Sequence, residues 1–134
     1  MGLSRGNSTA ARVMSSVVHI TTDSQYFVLF AVGTAFAFAH TLDEMRIGQF
    51  IAVPFALANA VALGGWPLVR KGWRAALAIA FGLLWTVTVI PYHVVPLLNG
   101  VVTWQNVSGL SRIAGGLIMV ATGIAVGARR QNRD

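Results

Sequence analysis

Residues 73–90 read WRAALAIAFGLLWTVTVI, a run of eighteen residues whose single charge, Arg74, stands at its beginning. A helix on the surface of a soluble protein carries polar residues at every third or fourth position, whereas this run contains only Thr86 and Thr88. Its length is close to the roughly 20 residues that an α-helix needs to cross the hydrocarbon core of a bilayer. The run therefore predicts a membrane-spanning helix.

The rest of the chain repeats this pattern. Hydrophobic residues make up 55% of the 134 residues and charged residues only 10%, whereas about a quarter of the residues of a soluble domain are charged. Three further apolar runs predict three more spans, at about residues 26–42, 47–69 and 112–126. The sequence thus predicts an all-α membrane protein, a four-transmembrane-helix bundle forming a single domain over residues 1–134.

Basic residues are concentrated at one end of the predicted bundle. Eight of the ten precede the first run, lie between the second and third runs or at the beginning of the third, or follow the fourth. Because Lys and Arg in short connections favour the cytoplasmic side, we expect an N-in/C-in, multi-pass protein of the bacterial cell (inner) membrane. Its basic end would contact anionic lipids of the inner leaflet. The basic residues flank apolar runs and do not form a polar domain, which argues against nucleic acid as a partner.

Two segments outside the spans have their own patterns. Residues 10–20 alternate polar and apolar faces at helical spacing and predict an amphipathic interfacial helix, and Thr22 with Gln25 has the capping-box spacing of a new helix start. Residues 91–111 contain an Asn99-Gly100 turn signal and are too apolar for a solvated loop. We expect them to form an outer apolar loop over the mouth of the bundle.

The polar groups at that outer end form one cluster. On a helix His40, Asp43 and Glu44 project from the same face, because they are three and four residues apart. The third run ends at the same side with His93, and a bundle brings helix ends together. The chain contains no cysteine, which excludes thiolate ligands and iron–sulfur clusters. Any site therefore depends on imidazole and carboxylate groups.

Several interpretations of this cluster are open. His40, Glu44 and His93 can bind a divalent metal ion. Together with Asp43, the same groups can act as catalytic acid and base on a hydrophobic substrate, or they can relay protons. In a purely structural interpretation, Asp43 pairs with Arg46 and His40 bonds a backbone carbonyl. Candidates for contacts with a substrate are Tyr92, Trp104, Arg46, Arg112 and Asn59.

The pentapeptide His40-Thr41-Leu42-Asp43-Glu44 resembles the signature of the HXXEE family of small bacterial membrane proteins, named for a His-x-x-Glu-Glu motif at the end of a helix. Asp43 stands where the family has its first Glu, which retains the charge but shortens the side chain by one carbon. The resemblance covers this pentapeptide and the general size and hydropathy. It implies that the role of the motif falls on His40, Asp43 and Glu44.

Two functions of different classes follow from these features. The first is an outward-facing site that binds or acts on a hydrophobic, lipid-like small molecule by acid–base or metal-assisted chemistry. The alternative is a non-enzymatic accessory or assembly subunit of a larger membrane complex. Gly123 and Gly127 have the spacing of a close helix contact, either within the monomer or in a homo-oligomer. A channel would need a polar path through the membrane, and the spans offer only Asn59 and a few hydroxyl groups to line one.

Overall fold

A computed structural model describes the backbone of residues 5–132 and the side chains of residues 23–132. Within this part the chain is all-helical. It has five α-helices: α1 (Arg5–Arg46), α2 (Ala52–Leu68), α3 (Arg74–Val89), α4 (Val95–Leu98) and α5 (Trp104–Gln131). A 3-10 turn (Lys71–Trp73) precedes α3, and a π-helical turn (Ile90–Val94) joins α3 to α4.

Three helical segments are long and apolar enough to cross a membrane by length and composition: Asp23–Arg46, Lys71–Leu98 and Trp104–Gln131. The fourth apolar helix, α2, is shorter, with 17 residues. At 1.5 Å per residue, α2 is about 25 Å long. The predicted number of apolar helices is therefore confirmed.

α1 runs through the helix start predicted at Thr22. Neither Gly nor Pro interrupts residues 7–32, so nothing in the backbone favours a break there. The predicted interfacial helix at residues 10–20 falls in this first part of α1, and the side chains that would make it amphipathic lie outside the described ones.

α2 begins at Ala52, five residues later than predicted, because α1 ends at Arg46 and the turn after it occupies residues 47–51. Gly48 has a φ of 76°, a left-handed conformation that side chains with a Cβ rarely adopt and that commonly ends a helix. The Gly48 N–H bonds the Met45 carbonyl at 3.0 Å, and the Gln49 N–H bonds the Glu44 carbonyl at 3.0 Å.

The outer loop predicted at residues 91–111 is wrong at both ends. Its first part is the π-helical turn and α4, its last part belongs to α5, and only residues 99–103 connect them. Pro91 lies in the π-helical turn and Pro96 in α4, and neither ends the helical segment Lys71–Leu98, because a local π-helical adjustment accommodates a proline inside an apolar helix.

The start of α5 is fixed by a turn and a cap. The turn predicted at Asn99-Gly100 is confirmed, and Gly100 has a φ of 82°. Thr103 Oγ1 then accepts a hydrogen bond from the Asn106 N–H at 3.2 Å, which satisfies one free donor of the new helix. α5 therefore begins eight residues before Arg112, the predicted start of the fourth span.

α5 packs along both α1 and α3, which barely contact each other. Glycines allow these close approaches: a Cβ on Gly33 of α1 would lie 2.9 Å from the Gly115 carbonyl oxygen, and a Cβ on Gly116 would lie 2.6 Å from that of Gly82 in α3. Gly123 also faces α3, because its Cβ would lie 2.8 Å from the Ala75 carbonyl oxygen. The contact predicted for Gly123 is thus made within the monomer, and a homo-oligomer remains a separate prediction.

Aromatic side chains fill the space between α1, α2 and α3. Phe30 and Trp66 stack with their ring centres 4.7 Å apart, and Phe55 lies 5.3 Å from buried Trp85. This packing aligns the helices so that the C-terminal ends of α1 and α3 and the beginning of α5 meet at one end of the bundle. The candidate site lies at that end.

Candidate metal centre

Three of the predicted site residues come together at this end of the bundle. His40 Nε2 lies 3.0 Å from His93 Nε2 and 3.4 Å from Glu44 Oε1. All three ligand atoms lie within 4.8 Å of one another. The last turns of α1 supply His40 and Glu44, and the π-helical turn after α3 supplies His93. Such π-helical turns are rare and recur at functional sites.

The cluster is shielded from solvent. The side chain of His40 is 0% exposed and that of Glu44 is 6% exposed, while His93 is partly buried. Ionisable groups within apolar helices are costly unless they are paired or used. The hydrogen bonds and ion pairs of each group therefore indicate its role in the cluster.

The outer face of His40 is bound by Ser108 of α5. Ser108 Oγ lies 2.9 Å from His40 Nδ1, 3.1 Å from Asp43 Oδ2 and 3.1 Å from the Gln105 carbonyl oxygen. A hydroxyl has one proton to donate, and a carboxylate is its strongest acceptor. Ser108 therefore donates to Asp43 and accepts from the Nδ1–H of His40, which leaves a lone pair on His40 Nε2.

A parallel argument fixes His93. Asn106 Nδ2 donates to the Val101 carbonyl at 2.8 Å, which turns the amide oxygen of Asn106 toward His93 Nδ1 at 3.3 Å. That oxygen can only accept, so His93 carries its proton on Nδ1. His93 Nε2 thus also carries a lone pair when the imidazole is neutral.

Two imidazole nitrogens with lone pairs and one carboxylate oxygen therefore lie within 4.8 Å of one another. Two ligands at 2.0–2.1 Å from a tetrahedral Zn²⁺ ion lie about 3.3 Å apart, close to the 3.0 Å and 3.4 Å separations here. Hydrogen bonds from the outer ring nitrogens of ligating histidines are typical of metal sites, because they fix the tautomer. The donor set and its supporting contacts fit a divalent transition-metal ion.

Arg112 holds the other oxygen of Glu44. Its Nη2 donates to Glu44 Oε2 at 2.7 Å and to Thr41 Oγ1 at 2.9 Å. The guanidinium carbon lies 4.4 Å from the centre of the Phe55 ring and 5.6 Å from that of Trp85. This buried pair orients Glu44 and leaves Oε1 facing the imidazoles. Arg112 was predicted to contact a substrate, but in the structure its partner is the carboxylate of the site.

Asp43 lies beside the cluster and not within it. Its Oδ1 accepts from Trp104 Nε1 at 3.0 Å and from Arg46 Nη2 at 3.1 Å. The predicted pairing of Asp43 with Arg46 is thus confirmed, whereas His40 bonds side chains and not the backbone carbonyl of the structural interpretation. Asp43 acts on the cluster through Ser108, as a positioning residue.

Two predicted residues are not brought to the cluster. Tyr92 precedes His93 but its side chain is 73% exposed. Asn59 is buried in α2, where Nδ2 donates to the Phe55 carbonyl at 2.9 Å and Oδ1 has no hydrogen-bond partner. Neither forms a hydrogen bond with a member of the cluster.

Sequence reasoning missed four residues that shape the site: Thr41, Asn106, Ser108 and Gly109. Gly109 lets His93 pack against α5, because a Cβ there would lie 2.7 Å from His93 Cγ. Ser108 and Arg112 are four residues apart and share one face of α5. With a predicted α5 that begins before Arg112, this spacing would have placed Ser108 on the same helix face as Arg112.

No family model, curated protein or solved structure matches this chain. The geometry of the described residues therefore carries the functional argument.

Proposed function

We propose that this chain is a multi-pass membrane protein whose His40, Glu44 and His93 side chains hold one divalent transition-metal ion, with Zn²⁺ the best fit to the donor set. The ion would serve chemistry on a hydrophobic, lipid-like molecule. The observation that supports the proposal most is the convergence of two imidazole lone pairs and one carboxylate oxygen, each held from behind by another polar group.

The membrane location rests on helix length and on charge. Three segments are long and apolar enough to cross a bilayer. The cluster lies at one end of these segments, and Lys71, Arg74, Arg129 and Arg130 line a cavity at the other end. By the positive-inside rule, the basic end would lie in the cytoplasm and the His–Glu cluster toward the outer face.

Each residue of the site has a separate task. A bound ion would supply Lewis-acid polarisation of a carbonyl or phosphoryl oxygen, with three protein ligands leaving a position for the substrate. Asp43 and Ser108 fix the ring of His40, and Asn106 fixes that of His93. Arg112 neutralises Glu44 and directs its free oxygen inward. The HXXEE-like pentapeptide thus supplies two ligands and one positioning carboxylate.

A groove between α1 and α5 gives a hydrophobic molecule a place to bind. Its volume is about 410 Å³, and its lining is Ala39, Leu42, Asp43, Arg46, Trp104, Ser108 and Ser111. Ser108 connects this groove directly to the Nδ1 side of His40. We therefore propose that the apolar part of the substrate lies here, against Leu42 and Trp104.

Metal content tests this proposal. The protein, purified without a polyhistidine tag and dialysed against Zn²⁺, should retain about one ion per chain by elemental analysis. His40→Ala and His93→Ala should retain almost none. His19→Ala is the matched control, because His19 is the third histidine of the chain. Glu44→Gln is less suitable, since it leaves Arg112 without its partner. A wild-type protein that retains no metal, with a proton shared between the two imidazoles instead, would overturn the proposal.

A further inference from the structure

A second polar cavity lies at the end of the bundle opposite the His–Glu cluster. Its volume is about 790 Å³, and four cations line it: Lys71, Arg74, Arg129 and Arg130. Asp23, which also lines it, is 17 residues before His40 on α1, a distance of about 25 Å along a helix. The cavity is therefore separate from the proposed metal centre.

Arg129 has a donor without an acceptor. Its guanidinium carbon lies 6.0 Å from the centre of the Tyr26 ring, which fixes it against α1. Its Nη1 is buried and has no hydrogen-bond partner among the residues that the structure describes. A buried guanidinium N–H without an acceptor is costly, so this position favours an oxygen-bearing anion.

Arg74 is anchored to Trp66 through its Nε and the face of its guanidinium. Its Nε donates to the Trp66 carbonyl at 3.1 Å, and its guanidinium carbon lies 5.7 Å from the centre of the Trp66 ring. No other hydrogen bond of Arg74 occurs among the side chains described. The planar fork of an arginine is thus held in place with its two Nη groups available.

The remaining charged groups do not neutralise the cavity. Lys71 Nζ pairs with Asp23 Oδ2 at 3.2 Å, and Arg130 Nη1 donates to the Gly72 carbonyl at 3.4 Å. Among the described residues, Asp23 is the one carboxylate in the lining, against four cations. The described lining therefore carries a net positive charge.

The surroundings point to a lipid as the source of the anion. Leu68, the last residue of α2, is 86% exposed, and Trp73, in the 3-10 turn that carries Lys71, is 67% exposed. An apolar side chain and a tryptophan beside cations are typical of the membrane interface. We propose that this cavity binds the phosphate group of an anionic phospholipid, with Arg74 and Arg129 as the main contacts. A soluble phosphate would offer the same chemistry.

Thermal unfolding of the full chain in neutral detergent tests the site. Phosphatidylglycerol should raise the Tm of the wild type by several degrees, and phosphatidylcholine should not. Arg129→Gln and Arg74→Gln should lose most of this increase. Arg70→Gln removes a charge from the same connection but from outside the lining, so it should respond like the wild type.

Two further Tm measurements test the proposal. Without lipid, Arg129→Gln should unfold at or above the wild-type Tm, because the substitution removes a buried donor that has no acceptor. Inorganic phosphate is the third arm: a Tm increase lost in the same two variants would assign a soluble phosphate as the source, and no increase would assign the lipid. Equal stabilisation by phosphatidylcholine, or an unchanged response in both variants, would overturn the proposal.

Discussion

The Nε2 atoms of His40 and His93 lie 3.0 Å apart although 53 residues separate them in the chain. Each ring is held from its opposite nitrogen, His40 by Ser108 and His93 by Asn106. Both facing nitrogens therefore present lone pairs, which would repel each other without a cation between them. This relationship is the basis of the proposed metal centre.

The hydrogen bond between Ser108 and His40 should increase the affinity of the site for Zn²⁺. Ser108→Ala removes the acceptor of His40 Nδ1–H and its link to Asp43, so the ring loses its fixed orientation. We expect the Kd for Zn²⁺ to rise by about 10- to 100-fold, measured by competition with a chelator. Ser111→Ala is the matched control, because the Ser111 hydroxyl donates to the Ser108 carbonyl of its own helix. Equal affinities for the wild type and Ser108→Ala would refute this role.

The absence of a side chain at Gly109 should be necessary for His93 to pack against α5 in its present position. In Gly109→Ala the new Cβ would lie 2.7 Å from His93 Cγ, so the imidazole must move away from α5. Because a metal site tolerates shifts of only about 0.5 Å, we expect Zn²⁺ affinity to fall by about tenfold or more. Gly127→Ala, whose Cβ would meet its nearest neighbour at 3.7 Å, should bind Zn²⁺ like the wild type. Unaltered binding by Gly109→Ala would show that His93 is not confined by α5.

The buried pair of Glu44 and Arg112 should be strongly coupled. Glu44→Gln leaves the guanidinium of Arg112 buried without a carboxylate, which is expected to cost about 3–5 kcal/mol of unfolding free energy. The double variant Glu44→Gln, Arg112→Met should cost clearly less than the sum of the single variants. Equilibrium unfolding in mixed detergent micelles measures all three, and purely additive losses would contradict the pairing.

The contact between α3 and α5 should depend on Gly82. A Cβ there would lie 2.8 Å from the backbone nitrogen of Val120 and also too close to the Gly116 carbonyl. Backbone atoms cannot rotate away, so Gly82→Ala should lower the unfolding free energy by about 1–3 kcal/mol. Gly64→Ala, with open space around its Cβ, should not. If both variants unfold alike, the helices do not pack at these glycines.

The apolar runs predicted the helices because burial in lipid demands long stretches without charge, and composition alone reveals those. Helix boundaries were predicted less well. The fourth span was predicted to begin at Arg112, and a charge deeper within an apolar helix is costly. Its cost is offset by Glu44, 68 residues earlier in the chain, and no local pattern shows such a partner.

The ligand residues of the site could be inferred from helical spacing and from the common side of two helix ends. Their supporting residues could not. Ser108 and Asn106 act through α5, whose first turns were predicted to be loop. Gly109 is important because it has no Cβ, and the need for this is apparent only from the packing of His93 against it.

Titration of the metal-free protein with Co²⁺, followed by visible absorption, tests the proposed centre most directly. Co²⁺ accepts the same imidazole and carboxylate ligands as Zn²⁺, and its absorption reports the coordination geometry. One equivalent per chain should produce the intense bands of four- or five-coordinate Co²⁺. These bands should be absent in His40→Ala and His93→Ala and retained in His19→Ala. A spectrum of six-coordinate, aqueous Co²⁺ throughout the titration, or bands that persist in both variants, would contradict a metal ion held by His40, Glu44 and His93.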